Sequence, residues 1–212
     1  MAGFGMSRVA AVALASCLGM VAQAAELRGV QVLAHTGPEY SFSGWRSEGP
    51  PPRALDVHLE LGDQIYGATL QLEPERPGGR YRVQVQYETS MGLAAGGPHL
   101  DLLDWKHCNS AWMPAQSSEP LSFVLPTPTP EQQSCFPDYT REELEQAVRA
   151  LGLRMGNPAL AEAWLDDLHG VTSDIGVYPF VEIGRVRVKL EVERGGDWDE
   201  IAVLTFLPPM GC

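Results

Sequence analysis

Three early stretches of the chain alternate apolar and polar residues with period two. In residues 53–61, Leu55, Val57, Leu59 and Leu61 fall on one side, and Asp56, His58 and Glu60 on the other. In 65–73, Ala68, Leu70 and Leu72 alternate with Thr69, Gln71 and Glu73. In 81–89, Tyr81, Val83, Val85 and Tyr87 alternate with Arg82, Gln84, Gln86 and Glu88. Successive side chains of a strand point to opposite faces, so each stretch predicts a half-buried strand. The turn at Gly62-Asp63 and the loop 73–80, with Pro74, Pro77, Gly78 and Gly79, separate them and predict an antiparallel meander.

The far end repeats the pattern. Val186, Val188, Leu190 and Val192 alternate with Arg187, Lys189, Glu191 and Glu193. Gly195-Gly196 then predicts a tight turn. Residues 201–207 are apolar on both faces except at Thr205, the pattern of a central strand covered on both sides. Shorter strands are expected over 27–33 and 121–125.

Between these groups the period becomes helical. Thr140-Arg141-Glu142-Glu143 is a capping box, and Leu144, Ala147, Val148 and Leu151 form the stripe behind it, with Gly152 able to end the helix. Asn157-Pro158 starts a second helix, whose stripe is Leu160, Trp164, Leu165 and Leu168 and whose stop is Gly170. Pro126-Thr127-Pro128-Thr129-Pro130 reads as an extended, stiff spacer. The expected fold class is α+β. An antiparallel β-sheet or β-sandwich is built from the first three and last two strands, with a two-helix, disulfide-stapled insert over about residues 90–180.

The first 24 residues change the picture. Arg8 precedes 13 apolar or small residues, Val9 to Val21, and Ala22-Gln23-Ala24 is a small-x-small cleavage site. That is the pattern of a secretory signal peptide, too short for a bilayer span of about 20 residues. A single exported domain over 25–212 is expected, periplasmic or secreted. Leu14-Ala15-Ser16-Cys17 resembles a lipobox, which makes a lipid anchor at Cys17 the competing, weaker reading of this leader.

Charge narrows the partners. The chain has 15 Lys and Arg against 27 Asp and Glu, and removal of Arg8 with the leader leaves 14 against 27, net −13. Such a surface does not suit nucleic acid or anionic lipid. It suits a basic or mixed-charge protein partner, divalent cations, or simply solubility. No second apolar stretch is long enough for a transmembrane span. Cys108, Cys135 and Cys212 remain after processing, and in an oxidising compartment the expected pair is Cys108 with Cys135, Cys212 being the odd thiol.

Candidate chemistry is sparse. Nucleophile-elbow, zinc-protease, phosphate-loop and Cys-x-x-Cys motifs are absent from the sequence after the leader. Three weak groupings remain: Asp101, Asp104, His107 and Cys108 at metal-ligand spacing; Asp166 and His169, three apart on a helix, as an acid/base pair; and Asp197, Asp199 and Glu200 at a turn, as calcium oxygens. Each has a blander reading as packing or solvated charge. The tryptophans carry more weight. Trp45 sits in a Gly/Pro-rich loop, Trp105 and Trp112 bracket Cys108, and Trp198 adjoins a turn. Such residues bury much area at little entropic cost, which favours recognition. The expected function is therefore an exported, non-enzymatic protein-binding module of the bacterial envelope, of inhibitor or immunity-protein type, with no cofactor and no metal. The alternatives are an envelope enzyme built around Asp166/His169 or Asp101/His107, and a glycan or cell-wall binding module.

Overall fold

The computed structural model describes residues 27–94, 99–169 and 178–209. The expected leader with Cys17, the helix stop at Gly170 and Cys212 lie outside them. In chain order the strands are β1 (Leu27–Val32), β2 (His35–Thr36), β3 (Ser41–Phe42), β4 (Trp45–Arg46), β5 (Ala54–His58), β6 (Thr69–Pro74), β7 (Tyr81–Ala94), β8 (His99–Leu102), β9 (Met113–Pro114), β10 (Gln116–Glu119) and β11 (Ser122–Val124). The helices α1 (Pro130–Ser134), α2 (Arg141–Arg154) and α3 (Pro158–His169) follow, then β12 (Tyr178–Arg194) and β13 (Asp197–Leu207).

Most of this structure is antiparallel sheet. A small sheet runs β10-β11-β6-β1-β4 and a large one β5-β13-β12-β7-β8, with β9 also on β7 and β2-β3 as a separate ribbon. Among these strand pairs only β5 with β13 is parallel. Val30, Val32, Leu70 and Leu72 of the small sheet meet Val85, Tyr87, Val188, Leu190, Leu204 and Phe206 of the large one. Each such side chain contributes about 1.5–3 kcal/mol when fully buried.

The same alternation along β7 continues into a second core. Met91 and Leu93, in step with Val83, Val85 and Tyr87, pack with Leu100 and Leu102 of β8 under Leu144 and Val148 of α2 and Ala161, Trp164 and Leu165 of α3. One face of the large sheet is thus covered twice, by the small sheet at one end and by two helices at the other. Its opposite face carries the polar rows of β7 and β12, open at the β13 end and covered at Glu88 and Ser90, which are fully buried.

Local chemistry explains the helix ends. Thr140 Oγ1 accepts from the Glu143 amide at 3.2 Å, and the Glu143 carboxylate accepts from the Thr140 amide at 2.8 Å. Asn157 Oδ1 accepts from the Leu160 amide at 3.1 Å, with Pro158 as the first helical residue. Gly195 and Gly196 both have positive φ, 62° and 96°, the conformation a two-residue turn between β12 and β13 requires.

Several expectations are corrected. The first three strands do not form a meander: β5 and β7 belong to the large sheet and β6 to the small one, so the loops between them carry the chain across the sandwich. β13 is not covered on both faces, since Ile201, Val203, Thr205 and Leu207 stay half-buried and only the edge strand β5 lies beyond it. Within 90–180, β8 and β9 join the large sheet and β10 and β11 the small one, so this segment helps build both sheets. Gly152 does not end its helix. It permits close packing, because a Cβ there would stand 2.4 Å from the Cβ of Ala161. Leu160 is exposed rather than part of the buried stripe. Pro130 does not extend a spacer but opens α1, capped by a box between Thr129 and Gln132.

Cys108 and Cys135 form a disulfide with Cα atoms 5.8 Å apart. It fastens the segment before β9 to the end of α1. Thr89 binds both halves: its hydroxyl accepts from the Cys108 amide at 3.2 Å and donates to the Cys135 carbonyl at 2.6 Å.

Candidate functional site

The open face of the large sheet is built from the polar positions of β7 and β12. The register sets Arg185 beside Glu88, Arg187 beside Gln86, Lys189 beside Gln84 and Glu191 beside Arg82. Period two sends all of these away from the core. Facing residues of adjacent strands stand close enough to interact directly, so the rows pair into a charged ladder.

Two tryptophans cap one end of that ladder. The Arg82 guanidinium lies 4.6 Å from the centroid of Trp198, which β13 supplies. Lys189 Nζ lies 4.6 Å from the centroid of Trp112, which reaches over from the segment before β9. Both cations share one carboxylate: Arg82 donates to Glu191 through Nε at 2.6 Å and Nη2 at 2.9 Å, and Lys189 Nζ stands 3.7 Å from it. Trp112, Lys189, Glu191, Arg82 and Trp198 therefore run as one strip. The Glu191 side chain is almost buried within it.

The other end is more deeply closed. Glu88 is 0% exposed and accepts from Arg185 and Arg187 at once. Arg185 also donates to the Leu103 carbonyl at 3.1 Å and to Asp104 at 2.6 Å. Arg187 donates to Gln86 at 3.2 Å. The loop that buries Glu88 is the one the disulfide fastens: Ser110 donates its amide to the Tyr87 carbonyl and Thr89 donates to the Cys108 carbonyl. Covalent closure and ladder hydrogen bonds together hold Trp112 in place.

Of the four sequence-predicted recognition residues, the structure brings Trp112 and Trp198 to this face and the other two elsewhere. Trp45 stands on the edge strand β4 and packs edge-on against Phe206, 5.7 Å between centroids, beside a cleft walled by Pro50, Pro52 and Leu55. Trp105 lies in an aromatic cluster with Phe136 and Tyr139, at 6.0 and 5.6 Å.

Several members of the weaker chemical groupings have other partners. Asp104 is taken by Arg185, Cys108 by the disulfide, and Asp101 faces His99 at 3.6 Å. Among the described residues, no three His, Cys, Asp or Glu side chains gather as a metal-holding group. His169 bonds Glu145 across the helix pair at 2.8 Å, which holds the Glu145 carboxyl below the usual carboxylate range. Asp199 pairs with Arg194 at 3.2 Å. Sequence reasoning overlooked Arg82, Lys189, Arg185, Arg187, Glu88 and Glu191. The signal for them was present: two polar rows of mixed charge, in strands expected to bury only their other face.

No family model, no curated protein and no solved structure matches the chain. Among the described residues no helix is long and apolar enough to cross a membrane.

Proposed function

We propose that the chain is an exported, non-enzymatic protein-binding module of inhibitor or immunity-protein type, which docks a secreted toxin or envelope enzyme on the open face of the large sheet. One observation carries the reading: Trp112 and Trp198 each stack on a cation, and both cations are tied to Glu191. Trp and Arg dominate the energetics of protein interfaces. Side chains already fixed by pairing lose little entropy when a partner arrives. The face holds Arg82, Arg185, Arg187 and Lys189 against Glu88, Asp104 and Glu191, in a chain of net charge −12. A partner of mixed charge, basic outside its contact with these four cations, complements it. The leader pattern of residues 1–24 and the disulfide support export to an oxidising compartment.

The test is capture from envelope and secreted fractions with the parent protein, followed by activity assays of what is bound. A stoichiometric protein whose activity falls on binding is expected. Trp112→Ala and Trp198→Ala should each weaken that binding about tenfold or more, the scale of an interface hot spot, with the circular dichroism spectrum unchanged. Unaltered binding by both folded variants would sink the assignment of this face.

A further inference from the structure

β5 is the outer strand of the large sheet. Toward its neighbour β13, the Val203 amide donates to the Arg53 carbonyl at 2.9 Å and the Leu59 amide donates to the Leu207 carbonyl at 3.0 Å. Backbone groups alternate between the two edges of a strand, so those of Ala54, Asp56 and His58 point away from β13. Outside the β5–β13 ladder these three residues have no hydrogen-bond partner among the described residues, and all three are exposed. We propose that a second copy of this chain pairs with this edge, β5 against β5 in antiparallel register about Val57, joining the two large sheets into one.

The side chains select both the partner and the register. With Val57 facing Val57 of the second copy, Asp56 lies opposite the second copy's His58, and His58 opposite its Asp56. Side chains directly opposite one another interact, and a carboxylate facing an imidazole has a donor for its acceptor. Neither Asp56 nor His58 has a side-chain partner within its own copy among the described residues. Each such pair exchanges both N–H···O bonds, so the two pairs satisfy every free backbone group of Asp56 and His58 in both copies. The neighbouring registers are worse. One sets Asp56 against Asp56, which brings like charges together. The other sets Asp56 against Ala54 and His58 against Pro52, which has no N–H to give. On the core side, the register about Val57 brings Leu55 against the second copy's Leu59. Both leucines are half-buried against the core, so pairing covers what is still exposed of them. A cleft of about 530 Å³ beside Leu55, walled by Trp45, Pro50 and Pro52, leaves room for the arriving side chain.

The small sheet's edges are blunted where β5 is not. β4 has two residues and β10 carries a bulge between Ser117 and Glu119, both devices that discourage a further strand. β5 holds no proline and no lysine. The pairing uses the sheet's edge and no residue of the tryptophan-capped strip, so its failure leaves the proposed function untouched and the reverse also holds.

The experiment is sedimentation velocity of the purified protein over a hundredfold range of concentration, with hydrogen exchange read at the Asp56 and His58 amides. A monomer–dimer equilibrium in the micromolar range is expected, the strength of a small interface, and both amides should exchange more slowly as concentration rises. His58→Asp sets carboxylate against carboxylate at two places and should weaken the dimer at least tenfold. Adding Asp56→Lys to His58→Asp restores opposite charges across the seam and should return the Kd to within threefold of the parent. Both positions are exposed, so the variants keep the fold, which circular dichroism checks. A monomer at every concentration, a dimer indifferent to His58→Asp, or a double variant that does not recover would each overturn the proposal. Protection of the two amides by an alternating lysine-valine pentapeptide, and not by raised protein concentration, would assign the edge to a basic strand of another protein and overturn self-pairing.

Discussion

Arg185 donates to Glu88 across the β7–β12 pair, and Arg187 donates to the same fully buried carboxylate. Removing either arginine leaves a desolvated charge half-compensated, whereas removing an exposed partner leaves a charge that water can solvate. Arg185→Ala should therefore cost about 3–5 kcal/mol of stability. Arg46→Ala, which breaks the exposed 2.7 Å pair with Glu73, should cost about 1 kcal/mol or less. Urea denaturation of both variants with unchanged m-value checks the contrast, and equal losses would refute the account of the ladder.

At Gly152 two rules conflict. Alanine in a helix interior ordinarily stabilises by about 0.5–1 kcal/mol relative to glycine. Here its methyl would meet Ala161 at 2.4 Å and the Asn157 carbonyl oxygen at 3.2 Å. The clash should win, so Gly152→Ala should destabilise by about 1–3 kcal/mol. Adding Ala161→Gly should recover part of the loss. A double-mutant cycle with no coupling between the two positions would show that the helices do not touch there.

Asp101 gives a pH dependence whose sign is set by burial. Desolvation raises its carboxyl above the ordinary value; His99 at 3.6 Å opposes this and Glu182 adds to it. Its Oδ1 is buried with no hydrogen-bond partner among the described residues. A carboxyl whose folded pKa is raised favours the fold fully below its unfolded pKa, near 3.8, and loses that contribution as pH rises through the folded value. Asp101→Asn abolishes this titration. The Tm of the variant minus that of the parent should therefore rise as pH climbs from below 4 to neutrality. A difference that stays flat or falls would reverse the sign.

The disulfide joins residues 27 positions apart in the chain. Constraining an unfolded chain over that span contributes about 3–4 kcal/mol on the chain-entropy account. Cys108→Ser with Cys135→Ser should lose about that much in guanidinium unfolding. Binding through Trp112 should weaken as well, since Ser110 and Cys108 anchor the segment that carries it.

How much of this was legible follows from what each signal encodes. Period two along 81–89 and 186–193 marked which side chains are buried, and the capping box at Thr140 and the Asn157-Pro158 pair marked where α2 and α3 begin. Neither signal encodes the partner. The alternation of β6 is the same whether it pairs with β5 or with β1, and only the sandwich topology decides that. The β10–β11 hairpin was half-seen because its turn breaks the usual rule: Leu121 adopts a φ of 71°, where glycine is the expected residue. Helix α1 was hidden because a Pro-Thr repeat reads as extended chain, although Thr129 and Pro130 are also a cap and a first helical position. The recognition face was written in the polar rows, but its ion pairs join residues about 100 positions apart, such as Arg82 with Glu191 and Arg185 with Glu88.

The twice-covered sheet governs how the molecule opens. β7 and β12 are common to both cores, so lifting the helix pair or peeling off the small sheet leaves each strand packed on what remains. Their amides should exchange with deuterium only through global unfolding, while those of β10 and β4, at the two edges of the small sheet, exchange through local fraying. The same pairing must wait for the whole chain from residue 95 to 177 to be made before it can close. The order of events then follows from topology: α2 and α3 form early from neighbouring residues, and the spine that both cores need forms late and slowly.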